Sequence, residues 1–206
     1  GTSVKISHAV GAKQPHKIDV YATNGIWMQL MFGLLFSAGI FIFKEQFLGI
    51  FKIDNPLVMD YALLYIPIIG GLMFIQFLNN GFSAINEGLG RTKINLAVLT
   101  IGFVMNIILD PILILVFGWG IRGAAIATVF SQSITLFVFY MLYRKNNPNI
   151  HLAHLKNINL QAIKDIVRVG IPVGIHSLLF TSISIYIAVL VYGFGWLGVA
   201  RERNRK

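Results

Sequence analysis

Long apolar runs constrain this sequence more than any other feature. Five stretches stay predominantly apolar for more than 20 residues each. A helix of about 20 apolar residues is long enough to cross a bilayer core roughly 30 Å thick. We therefore predict an all-α, polytopic membrane helical bundle, with spans at residues 20–43, 57–82, 96–117, 121–143 and 167–194.

The composition favours the same class of protein. Charged residues make up 12% of the chain, against about 25% in soluble domains, and the mean hydropathy is +0.72. A net charge of +9 would suggest nucleic acid in a soluble protein, but here the basic residues fall between the apolar runs and indicate membrane orientation. We therefore expect the lipid bilayer as a partner and no nucleic acid. The chain has no cysteine, which excludes disulfides and thiolate metal sites.

Lysine and arginine are distributed unequally between the two sides that five spans define. Ten fall on one side and three on the other before the C-terminal tail, which predicts that the richer side is cytoplasmic. We expect a multi-pass protein of the plasma (inner) membrane. The basic tail breaks the rule, and we interpret it as a sign that the native chain continues differently after about Gly195. The richer side carries Lys5, Lys13, Lys17, Arg91, Lys93, Arg144, Lys145, Lys156, Lys164 and Arg168.

The hydrophilic stretches predict three regions. Residues 1–143 hold the helices of a first lobe, 144–166 form a cytoplasmic linker, and 167–206 hold the first helix of a second lobe with an aberrant basic tail. The second part of the linker, LQAIKDIVRVG, is amphipathic and is expected to lie on the membrane surface. Residues 1–17 lack the apolar region and cleavage site of a secretory signal. We interpret them as a solvated linker.

The second span contains helix-disturbing residues in its middle. Pro67, Gly70 and Gly71 predict a kink or a close helix contact there.

Polar residues recur at intervals of four and three in two spans, so in each span they share one helix face. Such a face either hydrogen-bonds to a neighbouring helix or lines a water-filled cavity, and the sequence leaves both open. His176, in the fifth span, is interpreted as a packing or cavity residue. The two polar faces are formed by Gln76, Asn80 and Ser83, and by Thr128, Gln132 and Thr135; we predict cavity-lining roles for Gln76, Asn80, Gln132 and His176.

Asp110 lies in the middle of the third apolar run, directly before Pro111. A carboxylate at mid-membrane costs about 2.5–3.5 kcal/mol on insertion scales, which favours a functional role over local hydrogen bonding beside the proline. Asn106 lies four residues earlier on the same face. The side-chain oxygens of Asn106 and Asp110 are suitable ligands for Na⁺, and a desolvated carboxylate is equally suited to bind H⁺. Thr128 lies at a similar depth across a Gly-rich turn and joins the predicted cation site, although a packing role is the commoner one for a single threonine.

No catalytic motif accompanies this acid. A zinc protease would need HExxH and a nucleotide hydrolase a P-loop, and neither pattern occurs in the sequence. We therefore expect that the protein is not an enzyme and binds no cofactor. The remaining function for such an acid is transport driven by an ion gradient.

Six short motifs occur at residues 7–12, 79–82, 86–93, 106–111, 120–128 and 170–175. Together they resemble the multidrug and toxin extrusion (MATE) family. The resemblance covers about residues 1–195. It implies that residues 7–12 belong to the end of helix two and the following loop, and that the five spans are helices three to seven of a twelve-helix, two-lobed transporter. In relatives, one cation site combines an Asn and an Asp on helix five with a Thr on helix six, matching Asn106, Asp110 and Thr128. An Asp on helix one completes that site and has no counterpart here.

The resemblance implies a Na⁺- or H⁺-coupled multidrug efflux antiporter that works by alternating access, here as an incomplete chain. Its partners would be small cationic amphipathic drugs and the missing helices of the parent transporter. Two alternatives stay open. One is a lipid-linked oligosaccharide flippase of the same superfamily, and the other is a non-functional truncated remnant.

Overall fold

The computed structural model describes residues 1–49, 55–146 and 158–203, with side chains as far as Ile187. Within these residues the chain forms α-helices, one π-helical turn and no strand, so the predicted all-α class is confirmed. The helices are α1 (Thr2–Gly11), α2 (Pro15–Ile42), α3 (Lys44–Gly49), α4 (Pro56–Gly71), α5 (Met73–Gly88), α6 (Thr92–Pro111), α7 (Gly120–Asn146) and α8 (Leu160–Arg203), and the π-helical turn is Ile112–Val116.

Membrane-length helices agree with the predicted spans. Among the described residues four stretches are long and apolar enough to cross a bilayer: Pro15–Ile42, Thr92–Val116, Gly120–Asn146 and Leu160–Ile187. The pair α4 and α5 passes the same test together and is bent by 42°. If this pair is one broken span, the number is five, as the sequence predicts.

Large apolar side chains cover the outside of these helices. On the last turns of the third span Leu115 and Val116 are 76% and 78% exposed, and on α2 Leu35 is 68% exposed. Water would penalise so continuous an apolar surface, whereas lipid tails are as apolar as the side chains themselves. The fold is therefore that of a polytopic membrane bundle.

The predicted kink lies at the junction of α4 and α5. The chain bends at Leu72, directly after Gly70 and Gly71. Gly70 packs against the side chain of Ile40 on α2, leaving no room for a β-carbon. A break exposes backbone amides, and the Phe74 amide is satisfied by the Ser37 hydroxyl of α2, which accepts its hydrogen bond at 3.1 Å.

The opening segment is helical, as the resemblance to the end of helix two implies, so its interpretation as a solvated linker is wrong. Residues 2–11 form α1, and the side chain of Ile6 is fully buried. Ile6 lies so close to Gly88 at the end of α5 that a β-carbon on the glycine would be 2.6 Å from the Ile6 β-carbon. The hydroxyl of Ser7 also donates to the Gly88 carbonyl at 3.2 Å. Only residues 12–14 connect α1 to α2 without helical structure.

The segment LQAIKDIVRVG is not a separate surface helix, because it forms the first turns of α8. Asn159 caps this helix: its Oδ1 accepts from the amides of Gln161 at 2.9 Å and Ala162 at 3.2 Å. The main-chain amide of Asn159 in turn donates to Asn24 Oδ1 on α2 at 2.8 Å. The Tyr21 hydroxyl, also on α2, donates to Asp165 at 3.3 Å. These bonds attach the start of α8 to the first helices.

Contacts between backbone positions divide the chain into two compact units. One comprises residues 2–166, and the other comprises 167–206 together with Gly1. The predicted linker at 144–166 falls in part on 147–157, outside the described residues, as does the end of the basic tail at 204–206. The three-region division of the chain therefore stays a prediction.

Candidate functional site

A cavity of about 260 Å³ lies between α5, α6 and α7. Its lining contains amide and hydroxyl side chains but no charged residue. Every lining residue belongs to residues 2–166, so the cavity lies within one compact unit. The lining consists of Gln76, Asn79, Asn80, Ser83, Leu99, Gly102, Phe103, Asn106, Thr128, Ser131, Gln132 and Thr135.

The wall contributed by α5 carries a ladder of amides. Gln76 Nε2 donates to Asn80 Oδ1 at 3.4 Å, one helical turn further on. Asn79, 4% exposed, bridges to the opposite wall, because its Nδ2 donates to the main-chain carbonyl of Gln132 at 3.0 Å. Gln76 and Asn80 therefore line the cavity, whereas Asn79, which lies beside the predicted face, joins two helices.

The wall contributed by α7 carries the second polar face. Thr128, Gln132 and Thr135 all line the cavity, as does Ser131 beside them. The hydroxyls of Thr128 and Thr135 donate to the carbonyls four residues earlier, both at 2.9 Å. This back-bonding gives each hydroxyl proton a partner in an apolar setting and leaves the oxygen lone pairs available.

The third wall is α6, which approaches α7 closely at Gly102. A β-carbon on Gly102 would collide with the Thr135 hydroxyl oxygen. Glycine at this position therefore lets the two helices approach while a threonine remains between them. Asn106, one turn further along α6, also lines the cavity.

Asp110 lies at the end of α6 and is half-buried. Its Oδ1 accepts from Asn106 Nδ2 at 3.5 Å, at the long end of hydrogen-bond distances. It is not part of the cavity lining. Asn106 alone reaches both places, since it lines the cavity and donates to the carboxylate.

Directly after Asp110 the helix widens. Pro111 supplies no amide hydrogen, and residues Ile112–Val116 continue as a π-helical turn. The chain then reverses at Gly118 and Gly120, with φ of +68° and +52°, values that glycine adopts without strain. The predicted Gly-rich turn thus makes α6 and α7 neighbours, and Gly123 packs against the Leu113 carbonyl.

The predicted cation-site residues are only partly brought together. Asn106 and Asp110 interact, whereas the Thr128 hydroxyl donates to Ala124 and makes no hydrogen bond to Asp110 among the described residues. His176 lies on α8 in the other compact unit and is exposed. The assignment of Asp110, Asn106 and Thr128 to cation binding stays a prediction.

Three further polar residues of this region do not follow from the predicted faces or the predicted cation site. Asn79 and Ser131 line the cavity but lie one position away from the faces chosen by spacing. Asp60 is a second acid, besides Asp110, within the predicted apolar spans, and it is exposed on the first turns of α4. A search for every polar residue inside the apolar runs would have found all three.

Comparison with known proteins identifies the family of the chain. The family model MatE matches residues 1–112, more than half of the chain.

The chain belongs to the MatE family.

Two curated relatives come from Bacillus subtilis (strain 168). The uncharacterized transporter YisQ is 29% identical over 178 residues, covering 84% of this chain and 39% of the relative. The probable multidrug resistance protein YpnP is 29% identical over 163 residues, covering 78% of this chain and 36% of the relative. The chain thus spans less than half the length of these MatE-family relatives.

A solved structure has the same arrangement of helices. It is described as the inward-facing conformation of a multidrug resistance MATE family transporter of the MOP superfamily. The TM-score is 0.75 at 25% identity, over 83% of this chain and 39% of that chain. The fold of the described helices therefore agrees with the family assigned from the sequence.

Proposed function

We propose that the protein exports small cationic amphipathic drugs across the plasma membrane in exchange for Na⁺ or H⁺, as part of a MATE-type antiporter. The proposal is supported by family membership and by relatives named as multidrug resistance proteins. It is also supported by an uncharged polar cavity inside a bundle of membrane-length helices. The names of the relatives favour drug export over the lipid-linked oligosaccharide flippase.

The position of Asn106 carries the proposal. This residue lines the cavity and donates to the Asp110 carboxylate at 3.5 Å. A cation or proton on Asp110 removes the negative charge that holds the Asn106 amide. The Asn106 side chain is then free to turn, so the shape and polarity of the cavity change with ion occupancy.

An ion bound at Asp110 would depend on neutral ligands. Among the described residues, no three His, Asp or Glu side chains come close enough together to hold a metal ion. Na⁺ would therefore be held by the carboxylate with amide, hydroxyl, main-chain or water oxygens, and a single carboxylate also suits H⁺. Both coupling ions remain candidates.

Alternating access would join these elements in one cycle. Drug and ion compete because the ion alters the cavity through Asn106, and each favours a different state of the bundle. A ligand shifts such an equilibrium only by its differential affinity for the two states. The competition therefore requires that Asp110 be charged in one state and neutralised in the other.

The test is the variant Asp110→Asn in the full-length protein that contains this sequence. Export of a fluorescent lipophilic cation is followed in everted membrane vesicles under an imposed Na⁺ or H⁺ gradient. We expect the gradient-driven component to be lost, because the amide has no negative charge for Na⁺ or H⁺ to neutralise. The matched control is Asp60→Asn, which removes an exposed acid from another membrane-length stretch.

Three results would contradict the proposal. Unchanged gradient-driven export by Asp110→Asn would remove Asp110 from the mechanism. An equal loss in Asp60→Asn would mean that the effect is not specific to the site. Absence of cation export by the unaltered protein would remove drug export itself.

A further inference from the structure

The hydroxyl groups on the α7 wall have all committed their protons. Thr128 donates to Ala124 at 2.9 Å, Ser131 to Ala127 at 2.5 Å, and Thr135 to Ser131 at 2.9 Å. A hydroxyl has one proton and two lone pairs. Toward the cavity these three side chains can therefore only accept hydrogen bonds.

The amides of the lining use part of their donor capacity within the protein. Gln76 Nε2 donates to Asn80, Asn79 Nδ2 to the Gln132 carbonyl, and Asn106 Nδ2 to Asp110. Each of these amides keeps an acceptor oxygen, and Asn79 Oδ1 is buried with no hydrogen-bond partner in the described protein. Each carboxamide has two N–H groups, so the lining keeps some donors, including those of Asn80 and Gln132. Each amide or hydroxyl oxygen has two lone pairs, so the acceptor positions left by the protein's own bonds outnumber these donors.

The cavity also lacks any charge that could reverse this balance. Its lining contains no lysine, arginine or histidine to supply donors, and no carboxylate to attract every cation equally. An apolar strip formed by Leu99 and Phe103 completes the wall. Such a lining suits a ligand with an apolar body and a head group rich in N–H donors.

We propose that the cavity selects its ligands by their hydrogen-bond donors, so that a protonated primary or secondary amine binds more tightly than a quaternary ammonium of similar size. This rests on the proposed function and specifies its substrate class. A quaternary ammonium carries charge but no N–H, so bringing it into the cavity leaves the acceptors there without partners. Sites built around hydrogen bonds discriminate strongly against analogues that lack the matching group.

The test uses two probes that differ only in the head group: a primary alkylammonium and its N,N,N-trimethyl counterpart, each carrying the same fluorophore. Binding is measured on the full-length protein in lipid nanodiscs at neutral pH, where both probes are charged. We expect the unaltered protein to bind the primary amine about tenfold more tightly, as one charge-assisted hydrogen bond would give.

Two substitutions remove acceptors at nearly constant shape. Ser131→Ala and Thr135→Val should each reduce the preference for the primary amine severalfold and leave the trimethyl probe unaffected. Thr135→Ser keeps the hydroxyl and should keep the preference. The matched control is Ser133→Ala: its hydroxyl donates to Val129 at 2.7 Å in the same geometry, but Ser133 does not line the cavity. Thermal unfolding of each variant establishes that it is folded.

The outcomes separate the two proposals. Equal affinity for both probes, or an equal effect of Ser133→Ala and Ser131→Ala, overturns donor selection. Neither result contradicts cation export, which is measured separately in vesicles. If neither probe binds and no cation is exported, the proposed function is wrong and donor selection is wrong with it.

Discussion

The two ends of the pair α5 and α7 differ in what fills the space between them. At one end Phe82, Ile85, Phe139 and Tyr143 pack with Ile6 of α1 into a buried apolar cluster. The rings of Phe82 and Tyr143 lie edge to face, with centroids 5.5 Å apart. At the other end the same helices present amides and hydroxyls to a cavity of about 260 Å³.

The difference indicates a division of labour along two helices. Close packing holds the helices at a fixed distance, because interiors packed at crystal-like density resist movement. The polar end can then keep an unfilled volume without collapsing. α1 supports the packed end only, through Ile6 and Ser7. If this comparison is right, substitutions at the packed end reduce stability, whereas those at the polar end chiefly change binding.

The largest expected effect comes from opening the packed end. Phe139 is 1% exposed and is stacked on Phe82. Phe139→Ala should lower the free energy of unfolding by about 3 kcal/mol, because the cavity left behind cannot collapse fully. Reversible unfolding in mixed micelles with increasing SDS measures the change. The matched control is Phe137→Ala on the same helix, which removes a side chain that is 62% exposed. Similar losses in both variants would argue against a packed core at this end.

An intermediate effect is expected where α6 and α7 approach each other. Gly102→Ala forces a β-carbon into the Thr135 hydroxyl, and overpacking of this kind costs about 1–3 kcal/mol. The double variant Gly102→Ala with Thr135→Ala should recover most of that loss, because the colliding atom is gone. Gly39→Ala is the control, since nothing lies within 4 Å of a β-carbon there. A double variant no more stable than Gly102→Ala would contradict the close contact.

The smallest effect on stability is expected at Asn79. Replacement by leucine removes one hydrogen bond, to the Gln132 carbonyl, and also removes a buried oxygen without a partner. These two contributions oppose each other, so the free energy of unfolding should change by less than about 1 kcal/mol. The free energy of ligand binding in the cavity should change by far more than the free energy of unfolding. A loss comparable to that of Phe139→Ala would mean that the polar end also holds the bundle together.

Much of the fold could be predicted because a bilayer leaves few choices. Uninterrupted apolar runs identified the spans, and Pro67 with Gly70 and Gly71 predicted the bend that lies at Leu72. The packing of α1 could not be predicted in this way, since a ten-residue mixture of polar and apolar residues is helical here through contacts with α2 and α5. The continuity of α8 was not predictable, because an amphipathic stretch before Gly170 is equally typical of a separate helix on the membrane surface.

The candidate site was predictable to the extent that it follows helix periodicity. Gln76, Asn80, Thr128 and Gln132 line one cavity, as intervals of four suggest. The relation of Asp110 to Thr128 was not predictable, because it depends on how α6 and α7 meet after the wider turn at Ile112–Val116. Depth counted from a turn gives height along a helix but not the direction in which a side chain points.

The bond between Ser37 and the Phe74 amide has a consequence for how the bundle can move. It satisfies a backbone group exposed by the bend, at a depth where water is scarce. Beside it, Gly33 of α2 leaves so little space that a β-carbon would come within 2.7 Å of the Phe74 α-carbon. Sliding α2 along α5 would strip the amide of its partner and drive these backbones together. The register between α2 and α5 is therefore fixed, and any rearrangement within residues 2–166 has to move these two helices together as a rigid body.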